Sequence, residues 1–271
     1  MKITRFTFEI RIIWSGKILE TLIISIGIFI TLGIFTYIVA KHTVITNSYY
    51  GLLASYILFL TLAQFFATKI AVFNLDFILL GVVYAPVGVI VFPFTLQITD
   101  MVNEKFGRQA VYNMIWIGLV SQILMVIFII FAVYLPVADG PDPFSGFAII
   151  PAITLASWTS FLISERFDAW IYDNIREWIR NRTQNDDDWW KYLWIRNVFS
   201  DILSLGLDSI IFVPLAFYFF PIIQGFIDTA IQPNDIGFVL ELILGQVAIK
   251  WFLGVIDTPF MYLTRWIYDK N

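Results

Sequence analysis

Seven apolar segments, at residues 18–40, 49–73, 77–101, 110–136, 147–172, 197–221 and 238–264, constrain this chain more than any motif in it. Each has the roughly 20 residues that a helix needs to cross about 30 Å of hydrocarbon. Alternating strands of barrel length are absent, and in lipid the backbone of the remaining kind of spanning segment satisfies its own hydrogen bonds as a helix. Only 14% of the 271 residues are charged against 59% apolar, and the mean hydropathy of +0.79 lies outside the range of soluble domains. The expected fold is all-α, a polytopic transmembrane helical bundle.

Basic residues set the expected topology. They concentrate around Lys105 and Arg108 and in 173–196, with Arg176, Arg180, Arg182, Lys191 and Arg196, so both loops are assigned to the cytoplasm. The connections 136–146 and 221–237 carry aspartates and no Lys or Arg, which suits the outer face, and Arg265 and Lys270 put the C-terminus inside. Counting back, a crossing 18–40 leaves Lys2, Arg5, Arg11 and Lys17 outside, against the positive-inside tendency; an interfacial 1–17 is the alternative. Segment 18–40 is long for a signal peptide and has no convincing cleavage site.

Several chemistries are excluded by what is missing. There is no cysteine, so no disulfide, thiolate metal site or cysteine nucleophile, and the lone histidine, His42, cannot build a metal cluster. No metal and no cofactor is expected. Walker loops, GxSxG elbows, HExxH helices and dinucleotide fingerprints are all absent, which favours translocation over catalysis.

Polar residues recur at helical spacing inside the apolar runs. Gln97, Asp100 and Glu104 share one face, as do Glu165, Asp168 and Tyr172; Asn197, Asp201, Ser204 and Asp208; and Gln246, Lys250 and Asp257. In lipid such stripes turn toward one another or toward a watery cavity. Mutual pairing, with Lys250 neutralising Asp208, Asp201 or Glu165, accounts for single residues; the set contains more carboxylates than Lys250 can match. A stripe of Ala63, Ala67 and Ala71 suits close helix approach or a docking face. Pro86, Pro93, Pro214 and Pro259 lie in or near the apolar runs, as kinks or as breaks that form a site.

Three motifs together resemble the queuosine precursor transporter family of vitamin-uptake-transporter-like membrane proteins. They are Phe92-Pro93-Phe94 through Thr99-Asp100, Asn103-Glu104 and Phe106-Gly107; Arg196-Asn197, Ser200, Ser204, Asp208-Ser209 and Phe212; and Lys250, Asp257-Thr258-Pro259 and Tyr262. A weaker match is Glu165, Asp168-Ala169, Tyr172 and Ile175-Arg176. Leu205 stands where many members have Gln, and Asp201 where a small hydroxyl residue is usual. The resemblance spans about residues 50–266 and implies a six-helix transporter core over 49–271, with 1–48 as an interfacial segment and an extra N-terminal apolar helix.

The resemblance implies import of a 7-deazaguanine such as preQ0, preQ1 or queuine for tRNA modification. The substrate-binding candidates are then Gln97, Asp100, Glu165, Asn197, Asp208 and Lys250, between helices 77–101, 147–172 and 197–221. Glu165 or Asp208 would grip the N1–H and exocyclic amine, and Lys250 would meet O6 or a carboxylate. Rings such as Phe94, Trp158 and Phe212 are available to cover the base. Asn103, Glu104, Asp168 and Asp257 are assigned to a cytoplasmic gate or to structure. The expected partners are a small-molecule nucleobase and the lipid bilayer, with a homodimer and an ATPase module left open and no direct nucleic acid. Two other readings stand beside this one: the substrate-binding subunit of an energy-coupling-factor vitamin importer, and an intramembrane enzyme or structural bundle protein.

Overall fold

The computed structural model describes the backbone of residues 2–76, 81–138, 140–142, 144–180, 193–225 and 232–270, and side chains from Leu22 onward with some exceptions between 169 and 201. The elements are α1 (Lys2–Thr46), α2 (Tyr50–Ala67), β1 (Ile70–Asn74), β2 (Val82–Pro86), a 3₁₀ turn (Val87–Val91), α3 (Phe92–Phe106), α4 (Arg108–Tyr134), α5 (Ile150–Arg180), α6 (Leu193–Pro214), a π-helical turn (Leu215–Phe219), α7 (Phe220–Gly225) and α8 (Ile236–Asp269). Six helical stretches among the described residues are long and apolar enough to cross a membrane. The protein is a multi-pass membrane protein. Large apolar side chains such as Ile34, Trp116, Phe128 and Leu244 face outward, as contact with lipid requires.

The main departure from the expected helices lies between residues 67 and 92. The segment 49–73 is not one helix: α2 stops at Ala67, where the Thr68 hydroxyl donates to the Phe65 carbonyl at 2.7 Å. The β-branched and aromatic residues Ile70, Val72 and Phe73 then pair antiparallel with Val82–Pro86, from Ile70 opposite Pro86 to Asn74 opposite Val82. Asn74 closes the first strand by accepting from the Asp76 amide at 3.0 Å. Nor is 77–101 a helix: Pro86, which has no N–H to give a helical ladder, ends β2, and Pro93 opens α3, where a missing donor costs nothing. The 3₁₀ turn and the 15-residue α3, which carries Asp100, Glu104 and Lys105, are not among the stretches long and apolar enough to cross a membrane, so the crossing expected at 77–101 is replaced by a hairpin, a turn and a short helix.

Irregular backbone at membrane depth is tolerated where protein covers it, and two glycines let protein come close enough. A Cβ on Gly245 of α8 would sit 2.0 Å from the Tyr84 carbonyl oxygen, so β2 lies directly on the helix backbone. A Cβ on Gly88 would sit 2.6 Å from the Ala63 carbonyl oxygen and 3.3 Å from the Ala67 Cβ. The alanine stripe thus receives the 3₁₀ turn, and its third member, Ala71, belongs to a strand and not to the helix face expected for it.

Two further segments differ in extent. α5 continues to Arg180, beyond the expected end at 172. The run 197–221 is broken after Pro214 by the π-helical turn, whose Ala216 and Phe217 pack with Phe212, Val213, Ile153 and Leu242. A separate cluster of Leu52, Tyr56, Ile98, Met101, Met114, Trp158 and Ile267 joins α2, α3, α4, α5 and α8. α1 packs on α8 and α3 through Leu32, Phe94 and Phe260. Near Gly107, Lys105 Nζ donates to the Thr43 carbonyl at 3.4 Å and Tyr268 Oη to the Met101 carbonyl at 3.3 Å, tying α1, α3 and α8 at one end.

Candidate functional site

An open-mouthed cavity of about 720 Å³, counting the space in its mouth, lies between α2, the 3₁₀ turn with the start of α3, α5, α6 and α8. Each wall follows from a local feature already described. α2 can supply Ala63, Gln64 and Ala67 because its small residues admit Gly88. The break at Pro86 turns Phe92 and Thr95 inward, and the one-turn spacing of Gln246 and Lys250 places both on the same face of α8. α5 contributes Ser157, Trp158 and Phe161, and α6 contributes Asp208 and Phe212.

Among the described lining residues Asp208 and Lys250 are the charged ones, and they pair: Lys250 Nζ, on a side chain 3% exposed, donates to Oδ2 of Asp208, whose side chain is 10% exposed. The ammonium also stands 4.3 Å from the centroid of the Phe92 ring, over its electron-rich face. The described lining therefore carries balanced charge, with Gln64, Gln246, Thr95 and Ser157 as uncharged polar groups. Gln64 and Gln246 are almost fully buried, and Gln246 Oε1 has no hydrogen-bond partner among the described residues. A flat, polar-edged ligand would find a donor–acceptor pair on one side, amides on another and rings across its faces.

The other site candidates from the sequence lie elsewhere. Gln97 is fully buried on the contact between α3 and α8, where its Nε2 donates to Thr264 Oγ1 at 3.1 Å. Glu165 is half-buried, within electrostatic reach of Asp100, Asp168 and Asp208, and does not line the cavity. Asp100 is half-buried too and lies within electrostatic reach of Asp257, which is 1% exposed. Asp168 and Asn103 are half-buried near the same end, where Glu104 stands 3.6 Å from Arg265. The side chains of Asn197 and Asp201 are outside the described residues, as is the acidic and aromatic run 186–190. Among the described residues no cluster of His, Asp or Glu is arranged to hold a metal ion.

Of the named substrate candidates, then, the fold brings Asp208 and Lys250 into one cavity and leaves Gln97, Asp100 and Glu165 outside its lining. The reading of the sequence missed Gln64, Thr95, Ser157 and Phe92 and did not carry Gln246 forward as a site residue. For Gln64 a signal existed: it is the one amide in the 18-residue α2, whose other residues are apolar, small or hydroxylic, and a lone amide in a spanning helix marks an inward face. Phe92 heads the first of the motifs that carry the resemblance, but no binding role was assigned to it.

Residues 86–264 match the family described as "Putative vitamin uptake transporter", a stretch from the end of β2 into the helix that carries Lys250. The chain is also 26% identical over 186 residues to "Probable queuosine precursor transporter" of Bacillus subtilis (strain 168), an alignment covering 67% of this chain and 72% of that protein. No solved structure matches it.

Proposed function

The chain belongs to the putative vitamin uptake transporter family, and from that premise we propose that it imports a 7-deazaguanine queuosine precursor through the cavity between α2, α3, α5, α6 and α8. The observation that carries this reading is the buried Asp208–Lys250 pair on the cavity wall. The recognition edge of a 7-deazaguanine presents an exocyclic amine, N1–H and O6 in a row: two donors followed by an acceptor. A carboxylate accepts both donors and an adjacent ammonium donates to O6, so the pair offers, side by side, the two complements this edge requires.

The rest of the lining suits the same ligand. Trp158, Phe161 and Phe212 provide ring faces for stacking. Gln64 and Gln246 can bond the far edge of the base, and the unpartnered Gln246 Oε1 is ready to accept from its pyrrole N–H. Because Asp208 is already neutralised by Lys250, a neutral nitrile-bearing base such as preQ0 enters without a net charge to desolvate, whereas an aminomethyl cation brings one. Ala63 and Ala67 are engaged inside the fold by the 3₁₀ turn, which favours internal packing over docking of an ATPase module on that stripe.

The test is rescue of queuosine in tRNA, read by mass spectrometry, in a bacterial strain lacking both precursor synthesis and its own transporter and fed preQ0, preQ1 or queuine separately. Restoration that is lost in Asp208→Asn, with membrane insertion of the variant verified, is the expected result. Wild-type rescue by Asp208→Asn removes that residue from substrate binding. Failure of all three bases with inserted wild-type protein refutes import.

A further inference from the structure

Asp257 plays no part in the cavity, yet it is the most deeply buried carboxylate among the described residues, at 1% exposure. Neither of its oxygens has a hydrogen-bond partner among the described residues. The cations along its own face of α8 are engaged elsewhere: Lys250 by Asp208, and Arg265 by Glu104 at 3.6 Å and Asp269 at 3.4 Å. An ionised carboxylate in such a place is uncompensated within the membrane. No set of ligating side chains surrounds it for a metal ion among the described residues. The ligand that suits it is a proton.

From α3, Asp100 lies within electrostatic reach of Asp257 and also of Glu165 on α5, and Glu165 within reach of Asp208 at the cavity. Asp168 stands beside Glu165. The other elements packed on α8 bring little charge: between Leu22 and Ala40, α1 carries one titratable group, the exposed Tyr37; β2 carries Tyr84, against Gly245; the π-helical turn carries Tyr218; and the 3₁₀ turn carries none. Among the described residues of α6 the facing group is Asp208, already tied to Lys250. Two residues beyond Asp257, Pro259 leaves the Val255 carbonyl without its helical donor, so α8 is weakened where the carboxyl sits.

We propose that Asp257 carries the proton that drives base uptake, exchanging it with the cavity through Asp100 and Glu165; this rests on the import reading above. One proton enters from the outer side, travels as the neutral carboxylic acid, and leaves at the Glu104–Arg265 end as the base is released.

The experiment uses the full chain in proteoliposomes with preQ0 as the probe. An inside-alkaline gradient of one pH unit is expected to accumulate the base up to about tenfold over the outside, since a tenfold ratio and one proton per base balance. Asp257→Asn is expected to bring the base only to equal concentration on both sides, while counterflow exchange stays within about twofold of wild type. Wild-type exchange without gradient-driven accumulation, accumulation driven by sodium instead, or undiminished accumulation by Asp257→Asn each overturns the proposal while leaving import intact. Absence of exchange with preQ0, preQ1 and queuine alike refutes import and the coupling with it. If Asp257→Asn fails to insert, Asp257→Glu decides: a displaced pH profile of accumulation supports the assignment, and an unchanged one overturns it.

Discussion

Replacing Lys250 with Met separates the structural from the recognition role of the cavity pair. The substitution keeps the length and apolar stem of the side chain and removes the ammonium, leaving Asp208, with its side chain 10% exposed, beside Phe92 and without its cation. Breaking one half of a buried ion pair costs about 3–5 kcal/mol. The pair faces a cavity with an open mouth, so water can reach the stranded carboxylate, and the lower end of that range, about 3 kcal/mol, is expected. Denaturant titration in mixed micelles, without substrate, measures it. The double variant Asp208→Asn/Lys250→Met strands no charge and is expected to recover most of the loss, since replacing both members of a buried pair is often neutral. Uptake of a 7-deazaguanine is not expected to recover, because neither complement of the base edge remains. A stability of Lys250→Met within about 0.5 kcal/mol of wild type would mean the pair is fully solvated. Normal uptake by the double variant would sink the recognition argument.

Other substitutions probe the surrounding walls. Gly245→Val forces a side chain into the Tyr84 carbonyl, from which even a Cβ would be only 2.0 Å away, and is expected to cost at least about 3 kcal/mol or abolish folded yield. Gly27→Ala, with nothing within 4 Å, is the control and is expected to leave detergent melting unchanged or slightly raised. Trp158→Ala is expected to weaken preQ0 binding by about 1–3 kcal/mol in isothermal titration, whereas Phe128→Ala on the outward face leaves it unchanged. Gln97→Leu removes the hydrogen bond to Thr264 and is expected to lower stability by about 1 kcal/mol with little change in base affinity. A tenfold loss of affinity there would return Gln97 to the substrate site.

Composition and the apolar runs determined the membrane setting and the helices α4 and α8 almost to their ends, because twenty consecutive apolar residues have one stable arrangement in lipid. The motifs around Asp100, Asp208 and Lys250 determined the family. Sequence periodicity also put Asp208 and Lys250 on inward faces, since the polar side of a spanning helix is readable from one helix alone. Which inward faces meet could not be read that way. Gln97 and Lys250 carry equal weight in the sequence, yet one packs on Thr264 and the other pairs with Asp208 at a cavity, because the segment made by the 3₁₀ turn and α3 sits differently on α8 than a continuous helix would. That arrangement depends on Tyr84 resting on Gly245 and Gly88 on Ala63, contacts 161 and 25 residues apart in the chain. Local spacing records the direction in which a side chain leaves its own helix; the neighbour it meets is set by long-range backbone packing, which only the tertiary structure decided.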